Sequence, residues 1–212
     1  MHRFAFNCAF TIYIAISGVI FLYRIPYGNK WLDQWIFDKF FVFQFMSVIT
    51  IGLAIAGSYF NNLSYIRIGN RRTILRRELL GYYTQGFICV TIMFLFIVCG
   101  ALSLREINFI PHLTNWYFRY LLGIILFINV MSCLKWSSNL IVRRYCTLIV
   151  FIWMALEILM LRPYIKNFYS LDVSFLFSWV FHRGAESYYW LLGLIFITTL
   201  LNIKISDKRD FI

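Results

Sequence analysis

Long apolar runs separated by short polar stretches set the pattern of this sequence. Six runs approach the length needed to cross a bilayer: Phe4–Tyr23, Phe40–Phe60, Leu80–Leu102, Phe118–Leu134, Tyr145–Leu161 and Tyr188–Ile203. A spanning helix needs about 20 mainly apolar residues, because ~30 Å of hydrocarbon is crossed at about 1.5 Å per residue. The pattern therefore predicts an all-α polytopic membrane protein with six transmembrane helices, forming one domain over residues 1–212. Pro26, Pro111 and Pro163 all fall between the runs, so the helices should be largely unbroken.

Two stretches need separate treatment. The first run is longer than the roughly 7–15 apolar residues of a secretory signal, and Arg24-Ile-Pro26 follows it where a small-residue cleavage site would stand. It is expected to be a retained helix. Between the last two runs, Val173–Phe181 holds about nine apolar residues, too few to span. Its Trp and Phe suit an interfacial segment or a re-entrant hairpin before the last helix.

Composition removes the soluble alternatives. Hydrophobic residues make up 61% of the sequence and charged residues 14%, against about 25% charged in a soluble domain. Lys and Arg number 20 and Asp and Glu 9, giving a net charge of +11. With the N-terminus inside, twelve of the 20 cations fall in inner segments and eight in outer ones. Lys and Arg favour the cytoplasmic side, so the expected topology is a multi-pass protein of the cytoplasmic membrane with both termini inside.

The chemistry of a self-contained enzyme is missing. The sequence has no Gly-x-x-x-x-Gly-Lys-Ser/Thr phosphate loop, no His-Glu-x-x-His and no Gly-x-Ser-x-Gly elbow. The five cysteines follow no zinc or iron–sulfur spacing and read as small packing residues. The three histidines lie in a tail or near loops, so no haem or metal site is expected. Glu157 is the one acid inside an apolar run, about one turn from its outer end. Arg119 opens the fourth run at the same level, and the two suggest an outer-leaflet charge pair. A carrier centred on Glu157 is the functional alternative. Gly52-x-x-x-Ala56 is a small-residue pair suited to helix packing or to a dimer face.

The interval after the second run carries the densest charge. Tyr65-Ile-Arg67-Ile-Gly69-Asn70-Arg71-Arg72-Thr-Ile74-Leu75-Arg76-Arg77 places five arginines in eleven residues, with no lysine. Gly69-Asn70 is a turn signal, and Asn70 can cap a short amphipathic helix starting at Arg71. Arg72 and Arg76 are one turn apart, Ile74 and Leu75 give an apolar edge, and Arg76 and Glu78 flank the entry to the third run. Guanidinium forks pair bidentately with carboxylates or phosphates, which lysine does not. The stretch therefore suits either an acidic groove on a cytosolic protein or anionic lipid headgroups. It is too short, and too close to the membrane, to suggest a nucleic-acid partner.

With its six runs, inner N-terminus and this Arg67–Arg77 stretch, the protein resembles the permease subunits of type-2 ATP-binding-cassette (ABC) exporters, in particular the small permeases of peptide and bacteriocin export or self-protection systems. Larger members open with an amphipathic cytoplasmic helix, whereas only Met1–Arg3 precede the first run here. The resemblance implies that Arg67, Gly69, Asn70, Arg71, Arg72, Ile74, Leu75, Arg76 and Arg77 form the coupling element seated on a partner ATPase. It also implies two ATPase copies, a second identical or related permease, and ATP and magnesium bound on the partner rather than on this protein. The cargo would be a peptide, antibiotic or other amphipathic molecule. A stand-alone membrane immunity or binding protein is the alternative of a different class.

Overall fold

The computed structural model describes residues 39–55, 70–103, 110–157, 176–177, 180 and 185–208. The first apolar run, Arg67, Gly69 and Ala56 lie outside them. The described residues are helical throughout their regular structure. They form α1 (Lys39–Ile55), α2 (Arg71–Ser103), α3 (Ile110–Lys135), α4 (Leu140–Arg144), α5 (Cys146–Ala155) and α6 (Glu186–Lys208).

Three helical stretches are long and apolar enough to cross a membrane: Arg71–Cys99, His112–Lys135 and Glu186–Asp207. The helical parts of the second and fifth runs are shorter, with apolar stretches Phe41–Leu53 and Cys146–Ala155. Both runs continue into residues outside those described. The fold is thus all-helical with three candidate spans, where the sequence pattern predicts six.

One boundary differs from expectation. Arg71–Arg77 and the third apolar run are one continuous helix, α2, rather than a short amphipathic helix followed by a span. No proline or paired glycine interrupts it, and Arg, Leu and Glu are strong helix formers. At about 1.5 Å per residue its 33 residues reach about 50 Å, well beyond the ~30 Å hydrocarbon core. The surplus is the charged N-terminal end.

The contacts fix the helix directions. Glu78 of α2 meets Lys135 of α3, while Thr91 and Phe94 farther along α2 meet Tyr117, so α2 and α3 are antiparallel. Ser187 and Tyr188 of α6 meet Arg119 and Asn115, and Thr198 and Asn202 meet Asn129, so α3 and α6 run the same way. The C-terminus of α6 therefore returns to the N-terminus of α2. On the other side, Phe43 of α1 packs on Phe151 of α5, and Phe45 packs edge-on to Tyr120 of α3.

A single apolar core joins these elements. Tyr120 is fully buried between Phe45 and Phe94, with ring centroids 5.8 and 5.6 Å away. Leu176, Phe177 and Val180 belong to the same core. Phe177 lies 5.0 Å, centroid to centroid, from Phe127 of α3, while the rest of the Val173–Phe181 stretch expected to be interfacial or re-entrant, apart from Leu176 and Val180, lies outside the described residues.

Close approach of α2 to α3 is set at Gly86. A Cβ there would meet Ile128 Cδ1 at 3.2 Å and Ile124 Cγ1 at 3.3 Å. Small residues let membrane helices approach through their backbones. Gly86→Ala should cost about 1 kcal/mol, because the obstructing atoms lie on isoleucine side chains with some freedom to shift. Thermal unfolding of the detergent-solubilised protein measures this, and an unchanged midpoint would mean the interface is looser than described. Gly52, one half of the small-residue pair, is buried on α1.

Candidate functional site at the basic end of the bundle

Asn70 starts α2. Its Oδ1 accepts hydrogen bonds from the backbone N–H of Arg72 at 3.1 Å and Thr73 at 3.4 Å, and its C=O accepts from Ile74 N–H at 3.2 Å. These bonds satisfy donors that a helix start leaves unpaired. The helical period then sorts the side chains. Ile74 and Leu75 turn into the core, while Arg72, Arg76 and Arg77 are exposed. The expected apolar edge and basic face are thus both present on the first turns of α2.

Two of the arginines reach across to α6. Arg72 grips Asp207 with both arms, Nε to Oδ1 at 2.9 Å and Nη2 to Oδ2 at 2.7 Å, and Arg71 Nη1 donates to the backbone carbonyl of Asp207 at 3.0 Å. Bidentate geometry makes the Arg72 pair specific, but it lies at the surface, where water and salt screen it. A carboxylate on another protein can compete for that guanidinium at small cost. Arg76 and Arg77 stay outward-facing.

Directly beneath lies a charge pair that the linear pattern does not reveal. Glu78 is 1% exposed. Lys135 Nζ donates to its Oε1, Trp136 Nε1 donates to Oε2 at 2.9 Å, and Tyr82 OH donates to Oε1 at 3.2 Å. Lys135 Nζ also donates to the Tyr82 hydroxyl at 2.6 Å. In the sequence Glu78 only flanks, with Arg76, the entry to the third run. Burial instead makes it the bolt between the start of α2 and the end of α3. Its i, i+4 spacing from Tyr82 was the one local signal of this role.

Deeper in the bundle runs a polar seam. Tyr83 OH donates to Asn129 Oδ1, and Asn129 Nδ2 donates to Thr199 Oγ1 at 3.0 Å and Thr198 Oγ1 at 3.3 Å. Asn202 Nδ2 donates to the C=O of Asn129 and of Thr198, both at 3.0 Å. The seam ties α2, α3 and α6 together on the axis that leads inward from the arginines.

At the opposite end, Glu157 and Arg119 go to different neighbours. Glu157 sits on a π-helical turn after α5, and both carboxylate oxygens accept from Leu176 N–H, at 2.7 and 3.0 Å. Arg119, 2% exposed, donates to Ser187 Oγ at 2.6 Å and to Asn115 Oδ1 at 3.1 Å, and its guanidinium lies 4.7 Å from the Tyr188 ring centre. Among the described residues no ion pair joins Glu157 to Arg119. The acid anchors the buried segment at Leu176, and the cation anchors the start of α6.

Among the described residues no group of three His, Cys, Asp or Glu side chains is placed to hold a metal ion. The exposed guanidiniums are the strongest chemical feature, and they suit carboxylate or phosphate groups. No family model, curated protein or solved structure matches this protein, so its functional reading rests on the residues themselves.

Proposed function

We propose that this protein is an integral membrane permease subunit of an ATP-driven exporter, with a separate cytosolic ATPase supplying the energy. The observation that carries this reading is the form of α2: an exposed arginine tip continuous, without a break, with a membrane-length apolar helix. A tip on such a helix cannot move alone. Displacement at Arg72, Arg76 and Arg77 is carried along the helix, and the Glu78 bolt passes it to α3. The Arg72–Asp207 contact adds a second output, to α6.

ATP binding would close the ATPase pair beneath two permeases and pull or tilt these tips. Such a device works only if the arginines make different contacts in the two states. Release of Asp207 in one state and its capture in the other supplies that difference. The cargo is an amphipathic molecule such as a peptide or antibiotic, bound between aromatic-rich helices.

The test is an affinity-tagged full-length protein purified from its own membranes, as wild type and as Arg72→Ala/Arg76→Ala/Arg77→Ala. Wild type should bring down a protein bearing an ATP-binding phosphate loop and should stimulate its ATP hydrolysis. The triple variant should insert normally and lose both properties, because binding through several bidentate guanidiniums falls steeply when they are removed. Equal stimulation by the variant, or labelling of the α2 tip from outside the cell, would overturn the assignment.

A further inference from the structure

The connection between α3 and α5 has an arrangement that water does not suit. Trp136 turns back on the end of α3, with its N–H donating to Ser132 C=O at 2.9 Å. Asn139 then caps α4 by accepting from Ile141 N–H at 2.9 Å and Val142 N–H at 3.4 Å. This ordered turn directs Leu140 and Ile141 outward, 65% and 68% exposed. Next to them Arg143 and Arg144 are exposed as well, and the Arg144 guanidinium lies 5.9 Å from the ring centre of half-exposed Tyr145. Two bare aliphatic side chains beside two bare guanidiniums are at odds with both plain water and plain hydrocarbon.

Covalent continuity says where the patch lies. Residues 136–145 join the end of α3 to the start of α5, and both helices are apolar up to that junction. On the membrane-embedded reading of those helices, α4 sits where acyl tails give way to headgroups. We propose that α4 and Tyr145 form a binding site for an anionic phospholipid of the inner leaflet, with Arg143 and Arg144 forking its phosphate and Leu140, Ile141 and Tyr145 seated among its upper acyl carbons. Guanidinium matches phosphate bidentately, cationic side chains with apolar neighbours snorkel to the headgroup level, and aromatic rings favour the same level. This site is separate from the α2 tip and does not depend on any ATPase.

The experiment reconstitutes the full-length protein in nanodiscs of mixed phosphatidylglycerol and phosphatidylcholine, followed by gentle extraction and native mass spectrometry of retained lipid. Wild type should keep phosphatidylglycerol over phosphatidylcholine by roughly thirtyfold, as expected for two cations near an anionic surface. Arg143→Gln/Arg144→Gln should remove most of that preference. Leu140→Ser/Ile141→Ser keeps every charge and should still reduce retention, which a diffuse charge effect would not. Melting in phosphatidylcholine alone verifies that each variant folds. If the glutamine pair does not fold, Arg143→Lys/Arg144→Lys replaces it and should weaken the preference by losing the forks. An unchanged preference in the folded variants overturns the proposal.

Discussion

Lys135→Met is expected to destabilise the bundle by about 3–5 kcal/mol, the usual cost of removing one member of a buried ion pair. The variant leaves Glu78, 1% exposed, without its cation, although Trp136 and Tyr82 still donate to it. Those two bonds place the expected loss nearer the lower figure. Glu78→Gln/Lys135→Met should recover most of it, because a neutral amide in the same place needs no counter-charge and methionine fills the lysine stem's volume. Thermal or denaturant unfolding in one detergent, run as a double-mutant cycle, measures both. If the double variant loses the sum of what Lys135→Met and Glu78→Gln lose separately, the two residues are not coupled and the bolt between α2 and α3 is not there. In the proposed transporter the single variant should also uncouple ATP hydrolysis from transport, since the α2 tip would no longer carry α3 with it.

Asn129→Ala should cost about 2 kcal/mol. Interhelical hydrogen bonds in membranes average only about 0.6 kcal/mol and reach about 1.7, so no single bond of the seam accounts for that figure. Asn129 makes several. It accepts from Tyr83 OH and donates to Thr198 and Thr199, joining α2 to α6 through α3. The alanine variant leaves these groups without their partner, while Asn202 keeps its bond to the backbone carbonyl of residue 129. Tyr83→Phe removes only one hydroxyl and should cost under about 1 kcal/mol. Melting curves of the two variants compare them directly, and an Asn129→Ala midpoint equal to that of Tyr83→Phe would show that the seam is not shared among three helices.

Much of the architecture is readable from residue order, and the reason is solvent. Hydrocarbon tolerates no unpaired backbone group, so a long apolar run has to be a helix, and α2, α3 and α6 all contain the apolar runs that predict them. The cap at Asn70 and the division of Arg72 and Arg76 from Ile74 and Leu75 follow from local periodicity, which needs no knowledge of neighbours. The extent of α2 was less legible. Charge marks where an apolar run stops, not where its helix ends, so Arg71–Leu79 looks like a separate element when it is the N-terminal part of the helix that holds a candidate span.

Partners across helices are a different matter. Glu157 and Arg119 lie at similar depth in the pattern, yet one faces Leu176 and the other faces Ser187. Gly86 appears as one glycine among eleven until α3 is placed against it.

The order of residues by itself determined a helical protein with membrane-length runs, a basic end and an arginine tip on a capped helix, because each of these depends on neighbours within a turn or on the solvent around the run. Only the tertiary structure decided that Glu78 is buried against Lys135, 57 residues away, and that Arg72 holds Asp207, 135 residues away. Helical periodicity assigns a face to each residue. Which helix that face meets, and at what height, depends on how the whole bundle packs.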